Sequence, residues 1–300
     1  MKYILILLLC MILFSCTDYT TGRRFQDDYL VIGGMIYAGE TITSDNLIVV
    51  SRSISLNGGN ITDFIVSDAI VFIEDIETKE IQDLSFTADI TSRKFGYYDS
   101  SNSFLIESGK TYKLTAIIDQ DTVFALTTVP LPFELLENEG YTADVNGSFP
   151  IMIHQEIDEL YPIEIKVDRQ ENTVIFLEYY CLEEWNNAIY TIFDYLGFSE
   201  QIPNTPEDYE STMSGYPRRN TDMDTFFPSN INEEYIIRIP FNQFNFLFYG
   251  RYKVTTMKID ENYFKYNYKS QGYFHGGVVG GIGYFGSGSK QTRYTYVVKM

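Results

Sequence analysis

Histidine, cysteine and tryptophan are scarce in this sequence: two, three and one residues in 300. Zinc centres are built from clustered Cys and His at short spacings. His154 and His275 lie far apart and neither stands in such a spacing. A zinc site would need distant carboxylates to complete it, and no metal ligand set is expected. Positive charge is also short, with 22 Lys and Arg against 41 Asp and Glu and a net charge of −19. An acidic surface of this size repels phosphate backbones and anionic headgroups, so no nucleic-acid partner is expected. Gly-x-Ser-x-Gly, Walker, His-Glu-x-x-His and Cys-x-x-Cys patterns are all missing, which leaves no recognised catalytic motif. The expectation is a non-enzymatic protein without a cofactor.

The three cysteines separate by position. Met1 and Lys2 precede an apolar run from Tyr3 to Phe14, followed by Ser15 and Cys16. A charged start, an apolar stretch and a small residue before a cut are the parts of a secretory signal. A run of about a dozen apolar residues is shorter than the roughly 20 a membrane-spanning helix needs. Leu13-Phe14-Ser15-Cys16 resembles the bacterial lipobox, with an aliphatic residue three before the cysteine and a small one just before it. Phe14 is bulkier than usual there. Cys10 competes less well because Leu9 before it is large. The resemblance implies cleavage after residue 15 and acylation of Cys16, hence lipid anchoring in a bilayer. Each buried methylene contributes ~0.8 kcal/mol, so two or more chains anchor stably where one does not. The other reading is an ordinary secreted protein with a chance cysteine at 16. Removing residues 1–15 loses only Lys2 among charged groups, so the remaining chain is more acidic by one. Cys181 would then be the one cysteine left beyond Cys16. It ends the apolar run Val174–Cys181 and reads as a buried small hydrophobe.

Residues 17–28 are polar and without periodicity, and read as a tether. Twelve extended residues at ~3.3 Å each reach roughly 40 Å. From Tyr29 onward the pattern is β. Aromatics make up 16% of the chain, and Val, Ile, Thr, Tyr and Phe suit pleated, half-buried surfaces. Strands are expected at Val31–Tyr37, Leu47–Ile54, Asp68–Glu74, Tyr112–Asp119 and Thr122–Val129. In the fourth, Tyr112, Leu114, Ala116 and Ile118 point one way while Lys113, Thr115 and Asp119 point the other. About seven strands in ~100 residues fit an immunoglobulin-like β-sandwich over 29–130. Pro130-Leu131-Pro132 forbids a regular ladder and marks a boundary. A second β-rich domain over 133–300 is expected from runs at Ile163–Val167, Thr173–Cys181, Tyr235–Phe241, Asn245–Phe248, Tyr252–Ile259 and Arg293–Lys299. The fold class is therefore mainly β, with one or two short helices. Leu182, Trp185, Ile189, Ile192 and Leu196 recur at helical spacing, with Gly197 following, and predict a helix over 183–196. A second short helix is expected over Glu261–Lys269. Phe248-Tyr249-Gly250-Arg251 reads as a hairpin tip, and residues 199–230 as a long surface loop.

Several constellations carry a chemical reading beside a structural one. Asp119-x-Asp121 and Asp222-x-Asp224 are paired acids of the kind that contribute to calcium sites, although neither continues into an EF-hand. Turn chemistry accounts for them equally, and calcium binding by Asp222 and Asp224 stays open. Gly281-x-Gly283-x-x-Gly286 formally matches the dinucleotide fingerprint, but Ser, Gly and a strand-like run follow instead of a helix. Close approach of two backbones is the better account. Glu183 and Glu184 beside Trp185 suit either a sugar site or a helix start. Tyr263, Tyr266, Tyr268 and Tyr273 cluster ahead of the glycine run, and tyrosine serves both strands and binding surfaces.

Taken in order, these segments resemble a family. A lipobox is followed by Val49-Val50-Ser51-Arg52-Ser53, then Val66–Asp75, Ser108–Leu114 and Thr127-Thr128-Val129-Pro130. The tyrosine-rich Asp260–Tyr266 and glycine-rich Gly280–Gly286 close the series. This order resembles the Bacteroidota lipoproteins grouped as domain of unknown function 4249. The resemblance covers nearly the whole chain apart from about 182–232. It implies an outer-membrane, lipid-anchored protein, facing either the periplasm or the cell surface, acting as a binding or accessory component, with a TonB-dependent transporter as an associated partner. It carries over no catalytic residues. A surface adhesin or structural envelope protein is the alternative.

Overall fold

The computed structural model describes residues 29–53, 64–89, 94–153, 161–168, 173–183, 189–190, 219–226, 233–240, 245–268 and 275–298. The architecture is mainly β, with eighteen strands and one short helix among these residues. Strands β1 to β7 are Leu30–Tyr37, Val49–Arg52, Ile70–Asp75, Ile81–Asp89, Lys94–Tyr98, Thr111–Ile118 and Asp121–Thr128. Strands β8 to β12 are Glu134–Leu135, Ile151–Ile153, Ile163–Lys166, Thr173–Cys181 and Ile189–Tyr190. Strands β13 to β15 are Arg219–Phe226, Ile236–Ile239 and Phe248–Ile259; helix α1 is Glu261–Tyr268; β16 to β18 are His275–Gly276, Val278–Val279 and Ile282–Val298.

A six-stranded sheet runs β17-β7-β6-β3-β4-β5. Its inner face carries the residues that alternate in sequence. Tyr112, Leu114, Ala116 and Ile118 of β6 are all buried, as are Val71 and Ile73 of β3. The turn at Asp119 holds a positive φ of 53°, which aspartate tolerates, and leads directly into β7. Thr115, expected on the open face, is buried too. It lies level with Phe72 on one neighbouring strand and Phe124 on the other, which screen it from water. Its hydroxyl has no hydrogen-bond partner among the described residues.

A nine-stranded sheet runs β13-β11-β15-β18-β1-β2, with β9, β12 and β16 attached to its side. β1 pairs in parallel with the start of β18, from Val31 opposite Ile282 to Tyr37 opposite Gly288. Beyond that point β18 continues antiparallel to β15, from Gly288 opposite Ile259 to Val297 opposite Gly250. The sandwich core therefore includes Phe285 and Val278 from the C-terminal part beside Ile32, Ile36 and Tyr112. A second core holds Phe133, Ile165, Leu177, Tyr179, Phe246, Tyr252 and Val297. Val129 is the last residue of the first core before Pro130-Leu131-Pro132 and Phe133 the first of the second, but Val278 and Phe285 return to the first, so that core and the nine-stranded sheet both draw on the two sides of the prolines. A three-stranded sheet, β14-β10-β8, covers the second core.

Three expectations change. The helix expected over 183–196 is not what the described part adopts: Ile189 and Tyr190 form β12 against Phe248 and Tyr249. Pairing with a long strand outweighs the helical spacing of a few apolar side chains. The remainder, 184–188 and 191–196, lies outside the described residues. The stretch Phe248–Arg251 is no hairpin tip, because it is the first part of β15. Gly250 holds a φ of 130° there, and a side chain at that position would collide with Glu183. Within the loop expected over 199–230, residues Arg219–Phe226 form the edge strand β13 against β11. The helix expected over Glu261–Lys269 is α1, ending at Tyr268. Among the described residues no helix is long and apolar enough to cross a membrane.

Candidate functional site

The glycine run shapes one of two large concavities among the described residues. Gly281, Gly283 and Gly286 enter and occupy β18, so no helix follows them and they cannot cradle a dinucleotide. Their work is close backbone approach. Gly283 holds a φ of 107°, and a Cβ there would overlap the Ile32 carbonyl of β1. Further along, Gly286 and Gly288 face outward and leave space that side chains of β1 fill. Met35 lies over Gly286, and the Tyr37 ring comes within 3.4 Å of where a Cβ on Gly288 would be.

The result is an open groove of about 540 Å³ on the outward face of the nine-stranded sheet. That volume is in the range of small-molecule sites, roughly 300–1,000 Å³. Its floor follows the strand registers. Lys253, Thr255, Met257 and Ile259 alternate outward along β15. Thr255 lies opposite Glu178 and Thr292, while Met257 lies opposite Phe176 and Lys290. One wall is α1, which seats Tyr263 edge-on to Phe176 at 6.1 Å and to Tyr284 at 5.4 Å between ring centroids. Tyr266 packs on Tyr284 at 5.2 Å. The opposite wall is the loop after β1, closed by Asn46, whose Oδ1 accepts from the Thr43 backbone and hydroxyl.

The groove carries both signs of charge, mostly matched. Lys290 bonds Glu40 at 2.9 Å and sits 4.2 Å above the Tyr37 ring centre. Arg219 pairs with Glu178, and Asp45 with Lys94 at 2.6 Å. Burial pushes the Tyr37 hydroxyl up to about 12, helped by Tyr263, Tyr284, Glu178 and Glu40. Burial likewise raises Tyr263 to about 12, with Tyr268 and Tyr284 adding to it. Both remain neutral hydroxyls over the physiological range and offer hydrogen bonds, not charge.

A second cleft of about 590 Å³ lies between Thr127–Leu131 and Lys258–Asn262. Asp260 sits in it as the cap of α1, accepting from the Tyr263 backbone at 3.3 Å. The Thr127 hydroxyl donates to Asp260 at 2.6 Å and lies 2.7 Å from the Ser287 hydroxyl. Ser287 donates to the Thr128 carbonyl, and Asn262 to the Leu126 and Phe285 carbonyls. Burial pushes Asp260 up to about 6, against the pull of these hydrogen bonds. This network ties β7 to β18 and α1.

The residues singled out from sequence disperse. Asp222 and Asp224 lie on β13, where Asp222 accepts from Asn245 at 3.1 Å. Burial, then the charge of Asp222, raises the Asp224 carboxyl. Among the described residues no three His, Cys, Asp or Glu side chains gather as a metal-binding group. Residues 184–188 lie outside the described residues, so the helix start expected at Glu183 does too. Glu183 is buried and bonds Arg251 through Nε at 2.8 Å and through the Arg251 backbone at 2.9 Å. Arg251 holds its carboxyl below the usual range. His275 sits exposed on β16, its Nδ1 3.1 Å from the Gly281 carbonyl. Cys181 is fully buried in the second core. Cys16, His154, Trp185 and Tyr273 lie outside the described residues. Tyr263 does join the groove wall and Tyr266 backs it by packing on Tyr284, but Met35, Tyr37, Lys253 and Met257 were not marked by any motif. Outward alternation along β1 and β15 was the only signal, and it means nothing until the sheet order is known.

A comparison with curated proteins finds no match. The family model described as Domain of unknown function (DUF4249) matches residues 17–294. That span is nearly the whole chain, and it includes β1, α1 and almost all of β18, the elements that build the groove. The chain belongs to the DUF4249 family.

Proposed function

We propose that this protein is a lipid-anchored outer-membrane component, held through acylated Cys16, that binds a ligand without transforming it. The observation carrying the proposal is the groove, a concavity of about 540 Å³ walled by Tyr263 and Tyr284 on a sheet face that would otherwise be flat. Antiparallel sheets can leave one face to water at no cost in hydrogen bonding. Glycines at 286 and 288 that make room for Met35 and Tyr37 give this face depth. The lipobox-like Leu13–Cys16 supports the anchor, and the polar stretch 17–28 supports a tether. A TonB-dependent transporter is the partner this reading names. Crosslinking of the full-length protein in intact native cells tests it, followed by pull-down and mass spectrometry. Stoichiometric recovery of an outer-membrane transporter with the wild type, lost with Cys16→Ala, is expected. Recovery of the protein alone would overturn the accessory role.

The adhesin alternative draws on a different surface. Ile70, Ile81, Leu126 and Val279 are exposed on the outward side of the six-stranded sheet, around Phe72 and Phe124. Contiguous exposed apolar residues mark contact surfaces. Binding to immobilised glycans or host matrix without any transporter would favour that reading.

A further inference from the structure

We infer that the groove selects an amphiphilic anion: an apolar or aromatic body with a carboxylate-type head directed at Lys253. This rests on the proposal that the groove is the ligand site and goes beyond it by naming the ligand class.

The floor is graded. From Lys253 through Thr255 to Met257 and Ile259, the outward residues of β15 pass from charged to hydroxyl to apolar. The neighbouring strand β11 repeats the gradient in register. On β11 Glu178 lies beside Thr255, Phe176 beside Met257 and Val174 beside Ile259; on β18 Thr292 lies beside Thr255 and Gly288 beside Ile259, and the charge beside Met257 is Lys290, which Glu40 already holds. Met35 and Met257 give the apolar end soft, adaptable surface, which suits a body of variable shape. Tyr263 and Tyr284 close that end with aromatic faces.

Charge decides the head group. Three carboxylates line the groove, Glu40, Asp45 and Glu178, and each already holds a cation: Lys290, Lys94 and Arg219. Among the described residues, Lys253 is the lining cation that has no carboxylate partner. A half-buried ammonium next to apolar surface attracts an anion more strongly than one in open water, because the local dielectric is lower. A cationic ligand would meet Lys253 unshielded. On a chain whose net charge is −19, an unmatched cation beside an aromatic groove stands against the general field.

The test uses three probes with one apolar body and three heads: 2-naphthoate, 2-naphthylmethanol and 2-naphthylmethylamine. Each is titrated into the full-length protein and followed by fluorescence anisotropy. The expected result is that 2-naphthoate binds at least tenfold more tightly than the alcohol, with the amine weakest. Lys253→Gln should remove the preference for the anion and leave the alcohol unchanged, and Met257→Asp should weaken all three. Folding of each variant is checked by its far-ultraviolet spectrum and urea midpoint. Equal binding of all three probes, abolished by Met257→Asp, overturns the ligand class and leaves the groove as a site. Anion preference that survives Lys253→Gln overturns the role of Lys253. Binding insensitive to Met257→Asp, or no binding by any probe, overturns both the class and the groove as the ligand site.

Discussion

The two large sheets are built by different routes. In the six-stranded sheet most contacts join sequence neighbours, β3 to β4, β4 to β5 and β6 to β7. In the nine-stranded sheet the central pairing is between opposite ends of the chain, with Val31 beside Ile282 and Tyr37 beside Gly288. Hairpins need only a turn and alternation. A parallel pair has no connecting turn to set its register, and here register depends on glycines that let two backbones meet. The hairpin-built sheet exposes Ile70, Ile81, Leu126 and Val279 on its outer face beside Glu74 and Lys113, whereas the long-range sheet carries the groove. Gly283 permits the close pairing while Gly286 and Gly288 give the depth, so the site and the closure of the fold share one strand, β18.

The sharpest way to break this contrast is Gly283→Val. The new side chain would meet the Ile32 carbonyl and force an L-residue into a φ of 107°. A loss of at least about 3 kcal/mol is expected, read as a lower urea midpoint together with loss of probe binding in the groove. An unchanged midpoint would show that the β1–β18 contact is not what holds the long-range sheet.

Asp260→Asn probes the seam through pH. The wild-type carboxyl is raised from 3.8 to about 6 by burial. Protonation is therefore favoured by folding. The associated stability is fully present below about pH 4 and is lost as pH rises through about 6. At ~1.4 kcal/mol per unit, the wild type loses roughly 2–3 kcal/mol over that window through this group. The asparagine variant keeps an acceptor for the α1 cap and should lack that part of the slope. Identical pH profiles would count against Asp260 as the titrating group.

Glu183→Gln tests the start of β15 within the nine-stranded sheet. It removes a charge-assisted bond to Arg251 whose guanidinium is half exposed, so about 1–2 kcal/mol is expected. Chemical denaturation reads the loss, and adding 0.5 M salt should weaken the wild type more than the variant. The smallest effect belongs to the local sheet. Thr115→Val replaces a buried hydroxyl without a partner by a methyl between Phe72 and Phe124. A gain of up to about 1 kcal/mol is expected in thermal or urea unfolding. A clear loss would mean that the hydroxyl is satisfied in solution.

The tyrosines show how far sequence reading reached. Tyr263 and Tyr266 stood out as a cluster, and α1 does present Tyr263 to the groove, with Tyr266 packed behind it on Tyr284. Tyr37 and Met35 did not, because in sequence they are two ordinary members of an alternating strand. Asp222 and Asp224 invited a metal reading by spacing, and β13 spends them on an edge strand and a bond to Asn245. The helical spacing of Leu182 to Leu196 was likewise local information, and Ile189 and Tyr190 answer instead to β15.

Alternation and turn chemistry left β4 and β5 unmarked but determined the β6–β7 hairpin, the buried faces of β3 and β6, the helix after Asp260 and the burial of Cys181. These follow from side-chain period and local propensity, which act within a few residues. Which strands adjoin, where Glu183 finds Arg251, how Asp260 meets Thr127 and Ser287, and that Lys253 shares a groove with Tyr37 were decided only by the tertiary structure. Each depends on pairing β18 with β1 and β15, a contact between segments far apart in the chain, whose register no local pattern encodes.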